Sequence, residues 1–300
     1  MSRGEISGGL VNGVLQGMKS GFSYSKMESG FKKGFTNGLT RHDKIQDPTL
    51  LEEGKKPLVF WLADLGTVSG TTLTGLTNNI SGGSAITVAS SPTYVYNGFL
   101  NNRAYIDMNS ANDVIYTPFS NNKNEITIMM LVRLSNTINN QYLFSKVSSN
   151  AANTIGDIRI YSMSGNRVRV EMYGNPNNTL SVYDTFTSDI AGVVEGKGWS
   201  ILTVKCRLYQ PQGQGSEMEV YVNGSMNMTP ITTTFGGSTS NFANASNLIF
   251  GNGPIVLSLT GISSGGGSNI AGALVFDYWL NSSEQIRNEN FFRWYYGYRF

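Results

Sequence analysis

Glu217 and Glu219 are the closest this 300-residue chain comes to a catalytic pair. Residues i and i+2 of a strand share one face, and a nucleophile with a general acid on one face is what cleavage of a glycosidic bond requires. The residues that follow, Val220, Tyr221 and Val222, add no third acid. Other chemistries have fewer parts. The single histidine, His42, lies in a polar stretch, so a Ser-His-Asp or Cys-His relay would have to borrow a loop residue. One His and one Cys cannot build a usual zinc site. Gly251-Asn-Gly253 and Gly265-Gly-Gly267 open no helix and so make no phosphate cradle. Asp107, Asn109, Asn112 and Asp113 have oxygens suited to calcium, yet Asn and Asp gather at turns for conformational reasons alone. No cofactor and no resident metal are expected.

Residues suited to recognition are more plentiful. Arg159 to Tyr161 and Arg167 to Tyr173 read as a hairpin around Ser164-Gly165-Asn166. Alternation turns Ile158, Ile160, Val168, Val170 and Met172 to a core and leaves Arg159, Tyr161, Arg167, Arg169, Glu171 and Tyr173 pointing away. Tyrosine faces stack on sugar rings, and Arg with Glu can hydrogen-bond hydroxyls or pair with a protein partner. Ordinary cross-strand pairing on a solvated face explains the same alternation. Cys206 follows Leu202 and Val204 and precedes Leu208 on an apolar face, the place of a buried core thiol. Being alone, it excludes an intramolecular disulfide.

The elements that must hold these residues are strands. Charged residues make up 14% of the chain, against about 25% in an average soluble domain, and Gly, Ser, Thr and Asn are abundant. From Pro57 onward, short apolar runs alternate with turn dipeptides such as Asn97-Gly98, and a helical pattern emerges only near the C-terminus. Ile126 to Leu134 is apolar on both faces, which places it in the middle of a sandwich or under a covering element. Near the end, Ser282 and Gln285 are spaced as a capping box. The aromatic run Phe291, Phe292, Trp294, Tyr295, Tyr296 and Tyr298 is expected to seal a sandwich edge.

Several of these signals fall in a familiar order. Leu58-Val-Phe-Trp-Leu62 opens the series; Asn97-Gly98 and Asn112-Asp113 follow, then the strand closed by Asn223-Gly224, the strand Asn247 to Gly253, and the Gly-led strand Ala271 to Leu280 before Asn281-Ser-Ser-Glu-Gln-Ile. Over residues 57 to 300 this resembles the concanavalin A-like, laminin-G-like sandwich superfamily. The resemblance implies an all-β fold: an antiparallel β-sandwich, a concanavalin A-like jelly roll, with a short C-terminal helix, to which the sequence adds an N-terminal Gly-patterned arm. Glycanases of that fold carry Glu-x-Asp-x-Glu or Glu-x-Asp-x-x-Glu on one strand, and this chain has neither, so the resemblance implies a scaffold without that activity.

Residues 1 to 56 form a separate segment. They hold nine Lys or Arg against six Asp or Glu, while residues 57 to 300 hold thirteen against fourteen. Gly9, Gly13, Gly17 and Gly21, then Gly30, Gly34 and Gly38, recur every fourth residue, each glycine preceding one of Leu10, Val14, Met18, Phe22, Phe31, Phe35 and Leu39. On a helix that spacing sets a smooth groove beside an apolar ridge. Each interior glycine costs about 0.5 to 1 kcal/mol relative to Ala, so such a helix needs another surface. A membrane-spanning helix is disfavoured by Asn12, Gln16 and Lys19 and by Lys26, Lys32 and Lys33; a flexible tail and a docking arm remain, and the need for close packing favours the arm.

No electrostatic footprint for nucleic acid exists at a net charge of +2, and neither a signal peptide nor an apolar run long enough to span a membrane is written in the sequence. A neutral Asn/Thr/Gly-rich sandwich with a patterned arm and no catalytic set leads to the expectation of a non-enzymatic virion structural protein: a capsid decoration, fibre or tail appendage of a bacteriophage or virus. Its arm would bind other assembly subunits, the sandwich would be repeated as a homo-oligomer, and a host-surface glycan would be its ligand. A free carbohydrate-binding module is the alternative, and a glycoside hydrolase using Glu217 and Glu219 the third.

Overall fold

The computed structural model describes residues 47–52, 54–98, 102–108, 113–119, 123–133, 142–147, 157–163, 167–175, 178–186, 198–208, 215–226, 231–234, 246–251 and 268–297. The arm residues Leu10, Val14, Met18, Phe22, Phe31, Phe35 and Leu39, together with His42, lie outside this set.

Six short strands come first: β1 (Val59–Leu62), β2 (Thr67–Ser69), β3 (Thr72–Gly75), β4 (Thr87–Ala89), β5 (Thr93–Val95) and β6 (Tyr105–Met108). Next are β7 (Val114–Phe119), β8 (Glu125–Arg133), β9 (Tyr142–Val147), β10 (Ile158–Met163), β11 (Arg167–Asn175) and β12 (Asn178–Phe186). The series ends with β13 (Ser200–Arg207), β14 (Gly215–Val222), β15 (Ser225–Met226), β16 (Ile231–Thr234), β17 (Ser246–Gly251), β18 (Ser268–Phe276) and the helix α1 (Ser282–Tyr296). Among the described residues these strands build two antiparallel sheets. The larger runs β15-β14-β13-β8-β18-β6-β5-β3-β2, with β1 also on β18 and β16 also on β14; the smaller runs β12-β11-β10-β9-β17-β7-β4.

Alternation explains why the two sheets stack. Ile126, Ile128, Met130 and Val132 of β8 and Leu202, Val204 and Cys206 of β13 face Ile158, Ile160, Val168 and Val170 across one continuous apolar core. Trp61 of the large sheet meets Phe250 of the small one edge-on at 5.4 Å, and Cys206 is fully buried, as expected of a core thiol. The intervening residues of the large sheet face outward, where α1 covers them. Met129, Leu131, Ile201, Leu274 and Phe276 pack there with Phe291, Phe292 and Tyr296 of the helix. That second layer is why β8 is buried on both sides from Ile126 to Val132. Each large aromatic buried this way contributes about 1.5 to 3 kcal/mol.

Phe291, Phe292, Tyr295 and Tyr296 therefore cover a sheet face and do not seal an edge, while Trp294 is exposed and Tyr298 lies outside the described residues. The capping box also sits one residue earlier than its spacing suggests. Asn281, with extended backbone, accepts from the Glu284 N–H at 3.0 Å, and Glu284 accepts from the Asn281 N–H at 3.0 Å. β18 ends at Phe276, short of the expected Leu280, because the Thr127 hydroxyl donates to the Tyr278 carbonyl at 2.8 Å and accepts from the Leu280 N–H at 3.2 Å. These bonds replace ladder bonds and turn the chain toward the helix. Gly272 permits the close approach of α1: a Cβ there would meet Leu62 and the Trp61 carbonyl at 3.0 Å and Phe292 at 3.1 Å. The Asn223-Gly224 turn has φ of 55° and 85°, the two positive values of a type I′ hairpin.

Residues 47–56, placed in the linker by their composition, lie against the helix. Lys55 pairs with Glu284 at 3.0 Å, the Tyr278 hydroxyl donates to the Lys55 carbonyl at 2.9 Å, and Leu51 packs on the α1 cluster. No helix among the described residues is long and apolar enough to cross a membrane.

Candidate functional site

The hairpin predicted from residues 159 to 173 forms as β10 and β11, and its register pairs Arg159 with Glu171, Tyr161 with Arg169 and Met163 with Arg167. The inward set lies in the inter-sheet core. On the outer face of the small sheet, Arg159, Tyr161, Arg169 and Glu171 come together beside Tyr142 of β9. The Tyr161 hydroxyl donates to Glu171 at 2.6 Å, and the Tyr142 and Tyr161 rings meet edge-on at 5.7 Å. The Arg169 guanidinium stands 5.9 Å from the Tyr161 ring, and Arg159 reaches Glu171 at 4.0 Å. Burial first, and then the bond to Glu171, hold the Tyr161 hydroxyl far above its ordinary pKa. Arg159 and Tyr161 are only 5% and 8% exposed, whereas Arg169 and Glu171 are half-buried. Outward orientation in the strand thus does not translate into full solvent access. The side chains of Arg167 and Tyr173 lie outside the described set.

A second cluster occupies the outer face of the large sheet, beside the start of α1. β13 and β14 pair Lys205 with Glu219 and Arg207 with Glu217, while β8 sets Glu125 opposite Arg207. Arg207 bonds Glu125 at 2.7 Å and Glu217 at 3.5 Å; Lys205 approaches Glu219 at 3.6 Å, and the Tyr221 hydroxyl donates to Glu219 at 2.7 Å. Trp279, from the segment between β18 and α1, lies over this pattern. Its ring centroid is 4.5 Å from the Arg207 guanidinium and 5.6 Å from the Lys205 ammonium, and the Trp279 backbone N–H donates to Glu125 at 2.9 Å. Burial lowers the Lys205 pKa against the opposing pull of Glu219 and Glu289.

For Glu217 and Glu219 the consequence is direct. The same-face geometry expected of a catalytic pair is present, but each carboxylate is engaged by a cation, and Glu219 also by a tyrosine. Sequence reading weighed these two acids only as catalysts. It missed their place in a ring-and-charge cluster, because Glu125 and Trp279 are far away in the chain. It also missed Lys146, which strand register puts opposite Ile158 and Leu248, buried, with its pKa lowered to about 8 by burial and partly restored by Asp157.

The oxygen-rich set considered for calcium divides. Asp107 and Asp113 are described, Asn109 and Asn112 are not. With the Asn269 amide oriented to satisfy its neighbours, its nitrogen donates to Asp107 at 2.7 Å and its oxygen accepts from Arg133 at 2.9 and 3.0 Å. Among the described residues no group of three His, Cys, Asp or Glu could hold a metal ion.

With both faces in view, the arrangement is two antiparallel sheets with apolar interiors, polar ring-bearing outer clusters and one covering helix. Solved structures share its overall fold. The binding domain of botulinum neurotoxin serotype G superposes with a TM-score of 0.53 at 14% identity, over 79% of this chain and 51% of that one. In fold, this is an antiparallel β-sandwich. The binding domain of botulinum neurotoxin DC, solved in complex with SialylT, gives 0.52 at 14% identity over 78% and 51%. A structure described by the dependence of botulinum neurotoxin type C cell entry on two ganglioside molecules gives 0.51 at 15% identity over 77% and 50%. The sandwich spans about half the length of the structures it matches. No protein-family model and no curated protein matches the chain.

Proposed function

We propose that this protein is a non-enzymatic, lectin-like binding module that recognises a cell-surface glycan and is carried on a larger assembly by residues 1–56. The observation that carries the reading is the shared sandwich: the structures it resembles are receptor-binding domains, and two of them are described by their sialylated or ganglioside ligands. The candidate recognition residues are those of the β10–β11 hairpin, Arg159, Tyr161, Arg167, Arg169, Glu171 and Tyr173, and an arginine fork among them suits the carboxylate of an acidic sugar. Among the described side chains of this set, Arg169 and Glu171 are half-buried and the most open to a ligand.

A glycan array probed with the full chain tests the reading. Binding to a sialylated glycan, weakened by Arg169→Ala, is the expected result, and an array without any ligand ends it. The finer placement, as a repeated virion appendage docked through Leu10, Val14, Phe22, Phe31 and Phe35, draws support from the glycine spacing and the neutral β composition. Deleting residues 1–56 is then expected to leave a protein that fails to join its particle. Normal incorporation of the shortened chain would remove the arm from the account.

A further inference from the structure

We infer that the Trp279 ledge, on the opposite outer face from the hairpin, is a second carbohydrate site and takes the apolar face of a neutral hexose. The inference rests on the lectin-like reading and adds to it a site of different chemistry. Trp279 is half-buried, and its backbone is tied to Glu125 at 2.9 Å. The ring is therefore carried on an anchored main chain before any ligand arrives. Arg207 stacks on it at 4.5 Å, and the Tyr221 ring stands 4.6 Å from the same Lys205 ammonium that faces Trp279. A rigid aromatic surface bordered by hydrogen-bonding groups suits a ring that is apolar on one face and hydroxylated at its rim.

The charges select the class of sugar. Three carboxylates, Glu125, Glu217 and Glu219, meet two cations, Lys205 and Arg207, so the ledge is net negative and disfavours a sialic acid, uronic acid or sulfate. Donors and acceptors for hydroxyls are both at hand: the Arg207–Glu217 contact is long at 3.5 Å, and both side chains are 25% exposed. An incoming hydroxyl can accept from the guanidinium and donate to the carboxylate in place of that weak bond. Lys205, at 2% exposure, stays in its position under the rings.

Saturation-transfer NMR on the full chain, with methyl glucoside, galactoside and mannoside beside sialyllactose, tests this. At least one neutral hexoside is expected to bind, about tenfold more weakly in Trp279→Ala and measurably more weakly in Glu217→Gln, and equally well in Arg169→Ala. Melting curves of the variants show that they are folded, and Trp279→Phe, which keeps a ring, is expected to retain part of the binding if Trp279→Ala does not fold. If hexoside binding is as tight as in the parent in Trp279→Ala, or in both Glu217→Gln and Trp279→Phe, the ledge is not the site and the lectin-like reading stands. Binding of sialyllactose alone also removes the ledge and leaves that reading in place. If no saccharide binds at all, both fall.

Discussion

At the scale of single residues, the charged groups beneath and beside α1 set the pH response. Glu289 is buried on the helix, accepts from Gln285 at 2.9 Å and Thr203 at 3.4 Å, and meets Arg293 at 3.3 Å. Burial outweighs these partners and raises its pKa above 4.5. The ionised form is thus the costly one in the folded protein. As pH climbs from 4.5 through the raised value, this group removes stability, and the loss is complete above it. Thermal melts between pH 4.5 and 7 are expected to show a smaller decline in Glu289→Gln than in the parent; an equal decline would mean the partners fully compensate burial. The residue scale also shows the limit of reading from types alone. Alternation turned Arg159 and Tyr161 outward, as the hairpin places them, yet nothing in a two-residue period reports that they are almost fully covered.

Elements come next, and α1 is the decisive one. It converts a two-layer sandwich into three layers over the centre of the large sheet, and its bonds are specific enough to test. Phe292→Ala removes a fully buried ring between Gly272 and Leu62 and is expected to cost about 3 to 5 kcal/mol in urea unfolding. Asn281→Ala loses the capping box and is expected to cost about 1 kcal/mol. If Phe292→Ala costs no more than Asn281→Ala, the helix is a loose cover and the second apolar cluster contributes little. Several elements were legible beforehand. The β10–β11 pair, the two-sided burial of β8 and the Asn223-Gly224 turn each follow from a local pattern of period two or from a turn dipeptide. The cap was displaced by one residue because Asn, Ser and Ser compete for the same role at 281 to 283, and backbone geometry chooses among them.

At the scale of the whole molecule, residues 47–56 connect the sandwich to the glycine-spaced segment and already touch the domain through Leu51, Lys55 and the Lys55 carbonyl. A chain beginning at Asp47 is expected to melt like the full protein, while one beginning at Leu58 melts several degrees lower, having lost the packing of Leu51 and the Tyr278 bond. Equal melting of the two would make these contacts incidental and return the segment to the role of a plain linker. The two clusters lie on opposite outer faces, one on each sheet.

The strands β1, β8, β10, β11, β13, β14, β17 and β18, the all-β class, the buried Cys206 and the terminal helix were legible in the sequence itself, because each depends on side-chain periodicity or turn chemistry within a few neighbouring residues. The grouping of Glu125, Lys205, Arg207, Glu217, Glu219 and Trp279 was decided only in the tertiary structure. Their positions span more than 150 residues, and strand order alone sets β8 beside β13 and carries the chain from β18 back over them. The same holds for what lies over each sheet. Local pattern states that a face is apolar or polar; only long-range packing states what covers it.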